Sequence, residues 1–351
     1  MKRTLIITAA LAATSVLPAA AFARDQIRVV GSSTVYPFTT IVAEKFGKAN
    51  GGKTPIVEST GTGGGLKLFC GGVGADHPDM ANASRTIKKS EFEDCQKNGV
   101  KDIVELKIGF DGIVLANAKG GPVLVLTQEQ IFLALATEIP DKAGKLTANP
   151  NKSWKDIDAA LPDQKIEVLG PPPTSGTRDA FLELVMEKGA EKFDVLKALK
   201  DADKKDNTKN FEKVWKSIRE DGAWVDAGEN DNLIVQKLES NPKAVGVFGY
   251  SFLEENASKI KAAKVGGVDP VFETIVSGKY PVSRPLFVYL KKQHVAVIPG
   301  LKEFAVEYTS VKSMGEDGYL SAKGLIPLPK AERDSVAKVA AELATMIGSG
   351  S

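Results

Sequence analysis

Four short turns carry the residue types in this chain that could do chemistry. They are Gly31-Ser32-Ser33-Thr34, Ser59-Thr60-Gly61-Thr62-Gly63-Gly64-Gly65, Ser84-Arg85-Thr86 and Thr174-Ser175-Gly176-Thr177-Arg178. Each offers hydroxyls, glycines or both, and two of them add an arginine. Hydroxyls and free backbone N–H groups hold an anion by directed dipoles, and a guanidinium adds a planar, permanently charged fork. The inventory suits one small oxyanion; an extended polyanion would call for a lysine-rich face instead. None of the turns has dinucleotide-binding or P-loop spacing.

These turns sit where strands hand over to helices. Gln26 to Val30 reads as a strand and Val35 to Phe46 as a helix with one apolar face. Pro55 to Glu58 is a second strand, followed by the glycine-rich turn and Leu66 to Phe69. Asp79 to Ala83 is a third strand end, with a helix from Ser90 to Cys95 beyond it. Three prolines, Pro171 to Pro173, stiffen the approach to the fourth turn. Thr174 and Ser175 are cap-type hydroxyls, and Ala180, Phe181, Leu184 and Val185 fall at helical spacing. Ser175, Gly176 and Thr177 therefore lie at a helix N-terminus, where unpaired N–H groups and the helix dipole favour an anion.

Two long extended runs, Leu106 to Ala116 and Tyr280 to Leu290, flank a central block. They suggest two crossings between a discontinuous lobe, residues 24–112 with 281–347, and a continuous one, residues 113–280; residues 348–351 read as a flexible tail. Within the block, Leu124 closes a strand, and Thr127 to Ala136 and Phe181 to Leu199 read as helices. Lys152 to Ile157 reads as a turn anchored by Trp154, and the charged stretch Asp201 to Asn210 as a solvated loop. Leu233 to Leu238 is a helix, Ala244 to Tyr250 a strand, and Pro299 to Tyr308 and Lys330 to Ile347 are late helices.

The first 23 residues differ in kind. Lys2 and Arg3 precede an apolar run from Leu5 to Val16, and Ala21-Phe22-Ala23 has the small-x-small cleavage pattern. This is the pattern of a secretory signal peptide cleaved after Ala23. Removing Lys2 and Arg3 would take the formal net charge from +2 to 0. A neutral mature chain gives no reason to expect nucleic-acid binding. Cys70 and Cys95 are the two cysteines, and in an exported protein such a pair is most simply a disulfide. Neither a cofactor nor a metal is expected: His77 is the one histidine near the cysteines, and no paired ligand spacing accompanies it. A serine hydrolase using Ser33 or Ser175 would need a base, and only His77 and His294 are available, with no Gly-x-Ser-x-Gly elbow.

Taken in order, Gly31-Ser-Ser-Thr-Val-Tyr-Pro37, Ser84-Arg85, Thr174-Ser-Gly-Thr-Arg-Asp-Ala-Phe181 and Tyr280-Pro-Val-Ser-Arg-Pro-Leu286 resemble the periplasmic phosphate-binding proteins of bacterial ABC-type phosphate importers. The resemblance implies an α/β fold of type II periplasmic binding proteins: two lobes, each a mixed sheet flanked by helices, with the ligand in the cleft between them. It implies a monomeric, non-catalytic periplasmic protein that binds inorganic phosphate and delivers it to a membrane permease. Carried over by position, the phosphate contacts fall on Ser33, Thr34, Thr62, Gly63, Ser84, Arg85, Ser175, Gly176, Thr177 and Arg178. One departure stands out. Some members have an aspartate, which accepts the phosphate proton, where this chain has Arg85. Asp179 could supply that acceptor or could orient Arg178 from behind. Sulfate or a phosphonate is therefore an alternative cargo.

Overall fold

The computed structural model describes residues 24–51, 53–173, 175–206, 208–228 and 231–348. The expected signal peptide, Thr174 and the last three residues of the tail lie outside the described residues. The main sheet is built from β1 (Arg28–Gly31), β2 (Ile56–Ser59), β3 (Met80–Ala83), β4 (Ile103–Ala118), β5 (Val168–Gly170), β6 (Trp224–Asp226), β7 (Val245–Gly249), β8 (Ile260–Ala262) and β9 (Ser283–Lys291). Its order is β2-β1-β3-β9-β4-β7-β5-β6, with β8 also paired to β4.

Strand β4 organises this arrangement. It is 16 residues long and almost wholly buried, as expected of a strand covered on both faces. From Ile103 to Gly112 it pairs antiparallel with β9; from Ile113 it pairs with β7 and then β8. The change of partner divides the sheet into two halves. Strands β1, β2 and β3 run parallel in one, and β5, β6 and β7 run parallel in the other. Both halves are therefore mixed, with an antiparallel strand set into a parallel group, and helices cover their faces. This is the two-lobed α/β architecture of the type II binding proteins.

The helices that matter for the cleft are α1 (Tyr36–Ala49), α2 (Thr62–Phe69), α3 (Lys89–Lys97) and α4 (Gly176–Phe181). Helix α1 buries Phe38, Val42 and Phe46, and the Phe46 ring meets Phe304 edge-on with centroids 5.3 Å apart. Helix α4 runs on through a π-helical segment, Leu182–Met186, into Glu187–Ala190.

Several expected boundaries move. The single helix expected from Phe181 to Leu199 breaks after Ala190, because the chain folds back to set Phe193 against Phe132, with centroids 5.7 Å apart. A new helix, Asp194–Asp206, then covers much of the stretch read as a solvated loop. Its charge hides a structural role: the buried Asp203 carboxylate accepts from the Phe211 N–H (2.6 Å) and the Asn210 amide (3.1 Å), fastening the next helix. Trp154 is buried, but it opens a one-turn helix capped by Ser153 rather than a simple turn. The short strand near Leu124 is Val125–Leu126, and the last helix ends at Glu342.

Cys70 and Cys95 are joined, with an S–S distance of 2.04 Å. The closed segment leads to a buried polar cluster at the far end of the first lobe. Asp79, fully buried, accepts from Arg24 Nη2 (2.6 Å), the Arg28 N–H (2.8 Å) and His294 Nδ1 (2.7 Å). His294 Nε2 accepts from the Gly74 N–H, so the ring proton sits on Nδ1, facing Asp79. Beside them Lys291, also fully buried, donates to the Gly72 carbonyl at 2.6 Å. Burial drives its ammonium down to about 7, with Asp79 pulling the other way and Arg24 pushing further down. The unfolded chain keeps that proton to much higher pH, so it binds more protons than the folded state above pH 7, and stability should rise there. Urea unfolding should show a gain of about 1–2 kcal/mol from pH 7 to pH 9, lost in Lys291→Met. An identical pH slope in both proteins would refute this assignment.

Candidate functional site

The three turns of the first lobe leave the sheet at one level. Gly31 is in register with Ser59 of β2 and with Asn82 of β3, so the carboxyl ends of three parallel strands line up. Ligands of open α/β sheets bind outside such carboxyl ends. Two glycines make the close packing there possible. A Cβ on Gly31 would lie 2.2 Å from the Asn82 carbonyl oxygen, and its φ of +131° is one that side chains rarely adopt. A Cβ on Gly65 would lie 2.3 Å from Gly31 Cα, so α2 can approach β1 only without one.

On this platform the hydroxyls meet. Thr62 Oγ1 and Ser84 Oγ are 3.0 Å apart, and the Ser84 N–H donates to Thr62 Oγ1 at 3.1 Å. Gly61, with φ +72°, turns the chain into α2, whose first turn (Thr62, Gly63) carries no acidic residue. Thr34 is buried and Ser33 half-buried just before α1.

The second lobe presents its own turn to this one. Strand β5 passes through Pro171–Pro173 into α4, where Ser175 is the cap and its Oγ accepts the Thr177 N–H at 3.2 Å. Gly176 abuts the first lobe directly: a Cβ there would be 3.1 Å from the Ser33 carbonyl oxygen and 3.3 Å from Thr34 Cα. The turns at 31–34 and 175–177 thus touch across the cleft, despite their separation in sequence.

The two arginines expected to grip an anion both have partners within the protein, although Arg178 Nε has no hydrogen-bond partner among the described residues. Arg85 donates twice to Glu91, at 2.8 Å each, and once to the Thr86 carbonyl. Glu91 also accepts the Lys88 N–H at the start of α3. Burial alone would raise the Glu91 carboxyl, but Arg85 and Lys88 hold it below its ordinary value. Arg178 is buried with its guanidinium 4.2 Å from the Trp224 ring centre, 3.8 Å from Asp226 and 3.5 Å from the Pro171 carbonyl. Desolvation lowers its pKa, against the pull of Asp226 and Asp179. It borders a cavity of about 470 Å³ that also includes Thr137, Lys216 and Glu220. Asp226 makes the nearer charged contact to Arg178, and Asp179 also acts on it.

A third arginine stands at the junction itself. Arg284, near the start of β9, is in register with Asp111 of β4 on the paired crossing strands. Its Nη2 donates to Thr34 Oγ1 at 2.8 Å, its Nη1 to Glu183 on the helical run after α4, and its Nε lies 3.7 Å from Asp111 Oδ2. Arg284 was visible in the Tyr280–Leu286 segment, but its role was not, because its partners come from three distant stretches. Burial pushes the Asp111 carboxyl up, opposed by Arg284 and reinforced by Glu183.

Comparison with known proteins agrees with this fold. A family model of the PBP superfamily domain matches residues 18–312. The protein SphX of Synechococcus elongatus is 31% identical over 313 residues, covering 87% of this chain and 78% of that protein. The phosphate-binding protein PstS of Staphylococcus saprophyticus is also 31% identical, over 87% of this chain and 81% of its own. The crystal structure of a possible phosphate-binding protein from Planctomyces limnophilus superposes with a TM-score of 0.71 at 29% identity, covering 90% of this chain and 98% of the other. Arriving where the convergent turns and the two-lobed sheet already lead, these matches mean that the chain belongs to the PBP superfamily, among the PstS-like phosphate-binding proteins.

Proposed function

We propose that this protein binds inorganic phosphate between its lobes in the periplasm and delivers it to the membrane permease of an ABC-type importer. It does so as a monomer and without catalysis, the first lobe comprising residues 24–112 with 281–347 and the second residues 113–280. The observation that carries this reading is the contact of Gly176 with Ser33 and Thr34, which brings two anion-suited helix starts from different lobes together. The anion would meet Ser33, Thr34, Thr62, Gly63 and Ser84 from one lobe and Ser175, Gly176 and Thr177 from the other. Arg85 and Arg178, held by Glu91 and by Trp224 with Asp226, set the positive potential around it. A ligand that touches both lobes favours the closed form, which is the form a permease can recognise.

The test is a thermal-shift comparison of phosphate, sulfate, arsenate and a phosphonate. A ligand at 100 times its Kd stabilises the folded state by about 2.7 kcal/mol and raises the melting temperature accordingly. Phosphate is expected to give the large shift and sulfate little or none. Equal shifts with sulfate would replace phosphate as the cargo, and no shift with any tetrahedral oxyanion would overturn the reading.

A further inference from the structure

Arg284 combines two features that Arg85 and Arg178 lack: it bridges the lobes, and it touches a hydroxyl of the converging turns. Like Arg178, it also retains an unused donor. Its side chain is only 10% exposed, and its Nε has no hydrogen-bond partner among the described residues. The facing atom, Asp111 Oδ2, is likewise buried without a hydrogen-bond partner among the described residues, 3.7 Å away. Buried polar groups are rarely left unpaired in native proteins, and such a pair at a cleft points to a ligand.

The two acidic neighbours of Arg284 are unequal. Asp111 is a weak counter-ion, since burial favours its neutral form. Glu183 makes the direct charged contact, yet its side chain is 46% exposed. If that contact breaks, Glu183 returns to water at small cost, whereas the buried guanidinium needs another anion.

We propose that Arg284 is the arginine that grips the oxyanion, and that Glu183 is its resident counter-ion, displaced when the oxyanion binds. This rests on the oxyanion reading of the cleft and adds a competitor built into it. Glu183 belongs to the second lobe and Thr34 to the first, so the exchange changes how the lobes are joined. In the bound form Arg284 keeps its hold on Thr34 Oγ1, turns its remaining donors to the oxyanion, and releases Glu183 to solvent.

The consequence is unusual: removing an ionised side chain beside the cleft should tighten binding. Glu183→Gln keeps an acceptor near Arg284 but removes the charge that competes with the ligand. Calorimetric titration with phosphate should give an affinity about tenfold above that of the wild type. Arg284→Gln should lose about 100-fold or more, and Arg284→Lys should recover part of that loss. Circular dichroism melts should confirm that all three variants are folded.

If Glu183 only held Arg284 in place, Glu183→Gln would bind phosphate as the wild type does or more weakly, and that result overturns the exchange while leaving the cleft reading intact. Wild-type affinity in folded Arg284→Gln also overturns it. No heat from the wild-type protein with either phosphate or sulfate would overturn the cleft reading and the exchange with it.

Discussion

Gly176→Val is expected to lower phosphate affinity about 30- to 100-fold while both lobes stay folded. A side chain at this position would meet the opposite lobe. Its Cβ would stand 3.1 Å from the Ser33 carbonyl oxygen and 3.3 Å from Thr34 Cα. These are backbone atoms of the opposite lobe, so no rotamer change can make room. Overpacking of this kind costs about 1–3 kcal/mol, and every 1.4 kcal/mol is a factor of ten in affinity. Relief comes from holding the lobes apart, which weakens any ligand that must touch both. Titration calorimetry gives the affinity, and circular dichroism checks the fold. Wild-type affinity in the folded variant would mean that closure at Gly176 is not needed for binding.

Asp79→Ala is expected to act in the opposite sense, on stability rather than on affinity. Asp79 is fully buried and neutralises Arg24 while also accepting the Arg28 N–H and His294 Nδ1. Its removal strands a mostly buried guanidinium whose Nε and Nη1 already have no hydrogen-bond partner among the described residues. It also leaves Lys291 next to Arg24 with no compensating carboxylate. Removing one member of a buried ion pair costs roughly 3–5 kcal/mol, which corresponds to a fall in melting temperature on the order of 10 °C. Scanning calorimetry measures it. The cluster lies away from the converging turns, so phosphate affinity should stay within about twofold of wild type. A melting temperature within about 2 °C of wild type would show that Arg24 and Lys291 find other partners.

Together the two substitutions separate what holds the first lobe together from what lets the lobes meet. The separation follows the topology: Asp79 precedes β3, whereas Ser84 follows it. One end of the parallel strands is sealed by a buried charge cluster and a disulfide, and the other is left to face the second lobe. The carboxyl ends carry the small and hydroxyl-bearing residues.

Much of this was legible in the residue order. The strand-turn-helix units show as apolar runs that give way to glycines and hydroxyls, because those local preferences depend on near neighbours. Ser175 reads as a cap and is one, with its Oγ on the Thr177 N–H. The Cys70–Cys95 pairing and the two crossing strands could be read from cysteine number and from long extended runs. Boundaries set by distant contacts could not. Phe193 ends a helix by reaching Phe132, and Asp203 turns a charged stretch into a helix by fastening Phe211.

The partners of the arginines were decided by tertiary structure alone. In sequence, Arg85 and Arg178 stand inside hydroxyl-rich turns and look free to bind an anion, while Arg284 sits in a proline-flanked strand. In space, Arg85 pairs with Glu91, Arg178 lies against Trp224 and Asp226, and Arg284 reaches Thr34 and, across the junction, Glu183. A side chain's type and its local turn determine which bonds it can make. Which bonds it does make depends on the groups that folding brings within about 3 Å, and for long charged side chains those come from anywhere in the chain.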